Sequence, residues 1–415
     1  MKRTRLLLAI FCLLPTAWNC GNSNGQLTNL PVHLDLDNCK VSINLKLSDL
    51  IDSCRFIQLE TTSKSIIDNN INLLYIAKKQ ILIGDRNGVY KFSGDGKFIK
   101  KLINTGRGPD EISESCLFHY YEAKNLLLIE NRLGSKAYIM CYDIQSERFL
   151  TPIKKCFPAI WAHLIVYQDS LLMGSIEIGG YLPQDPVPNP YALFIQNFKG
   201  EFITGIKSTK RLVHENYKNL FQRMSIHTGD KNVYVKNSHD DTIYYFKNNK
   251  ISPYIIPVFK NGSDIPKMIP DVGTKHVRLG KYENKSFMIF NLSEFGGWKN
   301  ENGFSRAEYY YNFYLFNKSN GKYGEIRSYT DDLVGKVTDI DKSMKNIPGV
   351  PNSLPNGKLY VLYFPHELSK SVNQKSGTFP EKLLSELSLI KENLIETDNP
   401  IILIGNPRKK PQILN

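Results

Sequence analysis

Five times along this chain an apolar run, a short polar turn and a second apolar run follow one another. This recurrence limits the fold more than any other feature. The copies are "VYKFSGDGKFIKKL" (89–102), "AYIMCYDIQSERFLTPI" (137–153), "ALFIQNFKGEFITGI" (192–206), "IYYFKNNKISPYII" (243–256) and "FYLFNKSNGKYGEIRSY" (313–329). Each couples alternating aromatic or aliphatic residues to a turn rich in Gly, Asn and Asp, which is how a β-hairpin reads in sequence. With Asp95, Gln145, Lys199, Asn248 and Ser319 as turn markers, the intervals are 50, 54, 49 and 71 residues. Further short strands precede the hairpins, as in "NLLYIAKKQILIGDR", "LFHYYEAKNLLLIENR" and "IHTGDKNVYVKNS". Four strands in roughly fifty residues, repeated, make a propeller blade. The longer last interval marks an insertion in the fifth unit.

A repeat array must pair its two ends or leave bare sheet edges. Candidate strands stand at both ends: "KVSINLKL" (40–47) and "CRFIQLE" (54–60) at the front, "KLYVLYF" (358–364) and "PIILIG" (400–405) at the back. The expected fold is all-β: a six-bladed β-propeller of four-stranded antiparallel blades, its closing blade shared by the two termini, with seven blades as the competing count. One helical insertion is expected near the C-terminus, in "FPEKLLSELSLIKENLIE" (379–396). Pro380 stands near its start, and Leu383, Leu384, Leu387, Leu389 and Ile390 recur at helical spacing. It reads as a cap on the propeller rim.

The first residues, Met-Lys-Arg-Thr-Arg followed by "LLLAIFCLLPTAW", form an export signal over 1–19, too short for a membrane-spanning helix. The cysteine that follows, Cys20, resembles the lipid-attachment residue of bacterial lipoproteins, and "GNSNGQ" after it reads as a flexible tether. The expected organisation is a signal peptide (1–19), a lipidated N-terminus and linker (20–38) and a propeller domain (39–415), with a soluble periplasmic protein as the alternative. Removing Lys2, Arg3 and Arg5 with the signal lowers the formal charge from +13 to +10. The remaining Lys and Arg are scattered, without a basic-aromatic module, so the charge reads as a solvated surface and nucleic acid is not an expected partner. Five cysteines lie beyond Cys20 with no C-x-x-C pair. One or two disulfides are open to them, and at least one thiol stays free.

The stretch from Arg55 to Glu111 resembles the first blade of the six-bladed β-propeller lipoproteins of Bacteroides-like bacteria. The matching residues are Leu59-Glu60-Thr61, Asp85, Phe92, Gly96-Lys97-Phe98 and Gly106-Arg107-Gly108-Pro109-Asp110-Glu111. "ETDNPIILIG" is similar to that family's closing strand. Gln58 departs from the usual proline, and Ile112 from the tyrosine that often follows the motif's glutamate. The resemblance implies architecture and an outer-membrane location in the cell envelope, but no activity. In this frame "NTGRGPDEI" (104–112) is a corner between two blades. Gly106 and Gly108 are expected to supply positive φ, and Arg107 to pair with Glu111. The competing role for Arg107 is bidentate recognition of a carboxylate or sugar acid.

Catalytic signatures are missing from the sequence: there is no G-x-S-x-G, H-E-x-x-H or strand-borne G-x-G-x-x-G. His227, His239, Asp240 and Asp241 are close in sequence but match no metal-site spacing. The adjacent pairs Asp240–Asp241 and Asp331–Asp332 would face opposite ways in a strand, which defeats paired acid–base work. No catalytic residue, metal or cofactor is therefore assigned. Two aromatic stretches, 179–194 and 294–314, read as long loops suited to sugar or peptide recognition. The expected function is a non-catalytic ligand- or protein-binding module of the cell envelope, using Arg107, Tyr181, Trp298 and Arg306. Its partner would be a glycan, a peptide or an envelope protein, with the membrane met through the lipid anchor only. The alternative is an envelope enzyme acting on glycan through a propeller-mouth site.

Overall fold

The computed structural model describes residues 30–108, 110–114, 116–131, 138–157, 161–167, 171–176, 191–207, 224–229, 232–237, 241–247, 250–259, 275–301, 304–344, 346–371, 379–408 and 413–414. Its strands form six sheets. Sheet 1 holds Leu73–Ile76, Gln80–Asp85, Gly88–Ser93 and Phe98–Thr105. Sheet 2 runs from Cys116–Tyr121 to Arg148–Lys154, and sheet 3 from Trp161–Tyr167 to Phe202–Lys207. Sheet 4 runs from Met224–Gly229 to Lys250–Val258, and sheet 5 from Lys275–Glu283 to Tyr323–Asp331. Sheet 6 takes Asn352–Ser353, Leu359–Tyr363 and Ile401–Pro407. In each sheet these consecutive strands pair antiparallel, and from sheet 1 to sheet 6 the first strand lies beside the first strand of the next sheet. The arrangement is all-β and propeller-like, with three short α-helices among the described residues.

The unbroken apolar runs explain the packing. Alternate residues of a strand point to opposite faces, so a strand buried on both faces needs no polar interruption. Ile81 and Ile83 of sheet 1 share a core with Ile402 and Ile404 of sheet 6, whereas Leu82 shares one with Leu127 and Ile129 of sheet 2. Leu128 packs the other way, with Leu164 and Phe194 of sheet 3. Leu193 and Ile195 then meet Val233 and Val235 of sheet 4, and Tyr234 and Ile255 meet Phe290 and Phe316 of sheet 5. Ile289 and Leu315 join Val361 and Leu403 of sheet 6. Each sheet is a partition between two cores.

The two ends of the chain meet in sheet 6, where Ile51–Gln58 adds antiparallel to Ile401–Pro407 as the fourth strand. Asn399, 2% exposed, secures the joint. Its Nδ2 donates to the carbonyls of Glu60 (2.9 Å) and Ser65 (2.7 Å), and its Oδ1 accepts the Ile67 N–H (2.9 Å). Its own N–H donates to Thr61 Oγ1 at 2.8 Å. Glu60 reaches on into sheet 1, accepting the Phe98 N–H at 2.7 Å and donating its backbone N–H to Gly96 O at 2.9 Å. Gly96 has φ +96°, and a Cβ there would lie 2.2 Å from Gln58 O, so backbone shape and close approach both require glycine. Asp85 accepts the N–H groups of Asp68, Asn87 and Gly88 at 2.8 to 3.1 Å. The motif residues of the front and back of the chain thus converge on one seam.

Between residues 32 and 58 the front segment follows the outer edges of three sheets in turn. Val32–Asp35 lies parallel on Lys250–Val258 of sheet 4, and Ser42–Lys46 lies parallel on Tyr323–Asp331 of sheet 5. This corrects the assignment of 40–47 to the closing sheet: Ile43 and Leu45 bury their side chains in the core of sheets 5 and 6 from the sheet 5 edge. Sheets 4 and 5 consequently exceed four strands, and sheet 1 does so through Glu111–Ile112. The helix expected over 379–396 is Glu381–Asn393, and Leu383, Leu387 and Ile390 are its buried stripe against the same core, while Leu389 is exposed. The five described cysteines are free thiols, with Cys54, Cys141 and Cys156 pushed up to about 11 by burial.

Candidate functional site

Three departures from the regular sheets gather where sheets 5 and 6 adjoin: a long hairpin of sheet 5, the segment after Asp331, and the helical insertion of sheet 6. Tyr311, Leu333, Ile347, Leu368 and Leu383, drawn from all three, share one core. Tyr311 N–H donates to Lys342 O at 2.5 Å, joining the hairpin to that segment.

The hairpin is Phe287–Glu301 and Phe304–Asn317. Among the described residues, its register with the first strand of sheet 5 runs to Lys275 opposite Glu294, and beyond Glu294 the two strands pair only with each other. The stretch expected as a loop over 294–314 is therefore mostly strand. Tyr309, Tyr310 and Tyr311 alternate half-buried, exposed and buried, as two-residue periodicity requires. Register shifts between Phe295 and Gly297, where Gly297 has φ +120°, and the Tyr310 ring lies only 2.5 Å from where a Cβ on Gly296 would stand. Phe295 is buried, and the Trp298 and Tyr309 rings meet it edge-on at 5.7 and 5.5 Å. Trp298 is 57% exposed. A buried phenylalanine thus fixes an indole whose other surface faces solvent. Arg306 lies on the second strand opposite Lys299, and its side chain is outside the described residues.

Lys336, from the segment after Asp331, and His366, Glu367 and Lys370, from the insertion of sheet 6, line a cleft of about 490 Å³. A small cavity of about 50 Å³ shares its lining and reaches Tyr329, Asp331 and Tyr363. Asp331 Oδ2 accepts the Tyr363 hydroxyl at 2.8 Å, and Oδ1 accepts the Leu333 and Val334 N–H groups at 3.2 and 3.3 Å. Burial pushes its carboxyl from 3.8 up to about 6. Asp332 turns away and holds the Ser48 N–H at 3.0 Å. Glu367, on the rim, lies 3.9 Å from Lys336. One committed carboxyl at the floor and one ion-paired carboxylate at the rim do not form an acid–base pair facing a common bond. The sequence carries no signal for this cleft, because the burial of Asp331 comes from chain segments remote in sequence.

Arg107 lies apart from this site, exposed in the connector between sheets 1 and 2. That connector folds back so that Asn104 and Thr105 pair parallel with Glu111 and Ile112. Neither Gly106 nor Gly108 has positive φ; the glycines leave room instead for the Glu111 carboxylate, whose Oε2 lies 1.9 Å from where a Cβ on Gly106 would stand. That oxygen accepts the Gly108 N–H at 2.8 Å, so Glu111 braces the corner through the backbone rather than through Arg107. Cys20 and Tyr181 lie outside the described residues, as do His239, Asp240 and the His227 side chain. Asp241 is buried, accepts the Val277 N–H at 3.2 Å and faces Lys236 at 3.8 Å, which ties sheet 4 to sheet 5.

A family model described as "Domain of unknown function (DUF4934)" matches residues 30–406. Among solved structures, a Bacteroides fragilis protein described as exported is similar with a TM-score of 0.55 at 17% identity, covering 89% of this chain and 100% of that one. A member of the DUF4221 family from Bacteroides vulgatus gives a TM-score of 0.40 at 10% identity, over 86% of this chain and 97% of its own. No curated protein matches the chain.

The Asp331 carboxyl has a pH signature. Its folded value of about 6 lies above its value of 3.8 in water, so between these the folded state keeps a proton that the unfolded chain has released. The stability that this proton confers is complete below about pH 4 and is lost as pH rises through 6. In Asp331→Asn that part of the profile should flatten, removing a fall of roughly 2–3 kcal/mol between pH 4 and pH 8. Urea unfolding at several pH values measures it; a variant with the wild-type profile would clear Asp331 of this role.

Proposed function

We propose that this chain, which belongs to the DUF4934 family, is an exported six-bladed β-propeller that binds a ligand or partner protein at the end of sheets 5 and 6. Six sheets, each sharing a core with the next and the sixth with the first, support the closed ring. The observation that carries the binding role is Trp298, an exposed indole held by a buried ring on a hairpin that outruns its sheet. Exposed aromatics on a rigid support are strong anchors, since little side-chain freedom is lost on contact. Arg306 belongs to the same hairpin, and Arg107 and Tyr181 remain secondary candidates. The partner class is a glycan, a peptide or an envelope protein.

The envelope location rests on the apolar leader before Cys20, and no helix of the described residues is long and apolar enough to cross a membrane. In this reading Cys20 carries the lipid that holds the propeller to the outer membrane. The enzyme alternative draws on the Asp331–Tyr363 contact at the cleft floor and is weakened because Glu367, which lines the same cavity, faces Lys336 at 3.9 Å.

Two experiments test these readings. Trp298→Ala should keep the wild-type melting temperature and lose binding to the glycan or non-acidic peptide that an array retains on wild type. Full retention of that binding by the variant removes the hairpin from recognition. Cys20→Ala should move the protein from the membrane fraction to the soluble fraction, and a wild type that is itself soluble ends the lipid-anchor reading.

A further inference from the structure

Outside the hairpin, the outer side of sheet 1 is concave. A groove of about 660 Å³ runs between strand Phe98–Thr105 and the connector arriving from sheet 6. Lys64, Lys100 and Lys101 line it, and no carboxylate does. Ile66 and Ile99, exposed by 58% and 49%, stand on opposite walls. Lys100 is already paired with Glu147 of sheet 2, leaving Lys64 and Lys101 to set the charge.

Two observations indicate what fits. Lys101 Nζ sits 5.3 Å from the centre of the Tyr90 ring, and Tyr90 is only 3% exposed. Phe98, which also lines the groove, is half-buried and meets the buried Phe92 ring edge-on at 5.6 Å, so the aromatic surface offered to a sugar ring is limited. The groove does offer a backbone edge. Among the described residues, the outer side of strand Phe98–Thr105 has a strand partner only at Asn104 and Thr105. Glu60 occupies the Phe98 N–H and Tyr142 the Leu102 carbonyl, so Ile99–Lys101 is the open stretch. On sheets 4 and 5 the same kind of outer edge receives an extended segment of this chain in parallel.

We propose that the groove binds an extended acidic peptide segment of a partner protein. The peptide lies along Ile99–Lys101, sets carboxylates against Lys64 and Lys101, and packs apolar side chains on Ile66 and Ile99. Lysines on an edge strand also discourage edge-to-edge aggregation, and that role alone makes no use of the connector's Lys64 and Ile66. Because the cations are exposed, binding is salt-sensitive and weak to moderate.

The test is fluorescence anisotropy on the full mature chain. The probe is a labelled peptide of alternating Glu and Val, with alternating Lys and Val as the control and polygalacturonate as an anionic sugar competitor. The Glu–Val peptide should bind and the Lys–Val peptide should not. Lys64→Glu/Lys101→Glu should weaken binding by about tenfold or more, equivalent to about 1.4 kcal/mol. Lys64→Gln/Lys101→Gln provides the same reading should the charge reversals disturb folding. Trp298→Ala should bind the peptide as wild type does, which separates this site from the hairpin. No binding by wild type, undiminished affinity in both double variants, or capture of polygalacturonate in preference to the peptide would each overturn the proposal.

Discussion

The amide of Asn399 is the interaction on which the ring depends. Four hydrogen bonds from one buried residue hold Thr61, the carbonyls of Glu60 and Ser65, and the Ile67 N–H. They fix the strand Ile51–Gln58 in place as it passes from sheet 6 toward sheet 1. Among the described residues, the buried apolar side chains cluster between neighbouring sheets. If sheet 6 lost its fourth strand, two interfaces would be weakened together. The faces they uncover include Ile57 and Ile402 on one side, Phe56 and Leu403 on the other. Buried polar groups left without partners would add their own cost. Ring closure and core integrity are one property here.

The same front segment serves two further ends. By lying on the outer edges of sheets 4 and 5 it removes backbone that would otherwise template aggregation. By entering the turn at Leu47–Leu50, where Asp332 holds Ser48, it braces the junction from which the sheet 5 hairpin and the cleft arise. Recognition surfaces are most selective when a rigid body positions them. The hairpin fits that description through the contact of Phe295 with Trp298, and the groove of sheet 1 through its wall of regular strand.

Much of the architecture was legible because two-residue alternation and hairpin turns are local signals. Runs such as Ile81-Leu82-Ile83 and Leu127-Leu128-Ile129 announce strands covered on both faces. What escaped the sequence depends on partners far away in the chain. Parallel addition of Ser42–Lys46 to sheet 5 carries no turn chemistry, so nothing near residue 42 names its partner. Gly106 and Gly108 look alike whether a glycine is needed for positive φ or for space, and here the space belongs to Glu111. The Asp331–Asp332 pair was read as strand residues facing opposite ways, yet the shift of Asp331 comes from burial among remote segments. Trp298 is exposed, as its place in an aromatic, polar stretch suggests, but glycines at 296 and 297 interrupt the alternation that would mark the stretch as a hairpin.

The most direct measurement is hydrogen–deuterium exchange over the whole chain, comparing wild type with Asn399→Ala under mildly destabilising conditions. The substitution leaves the Ser65 carbonyl and the Ile67 N–H without their partner, while the Glu60 carbonyl keeps the Ser65 hydroxyl at 2.8 Å, a loss of about 2 kcal/mol or more. If closure supports the ring, protection should fall in all six sheets, including sheets 2 and 3 opposite the joint, because opening there releases the array cooperatively. Exchange confined to sheets 6 and 1, with sheets 2 and 3 as protected as in wild type, would contradict the account and make the joint a local fastening.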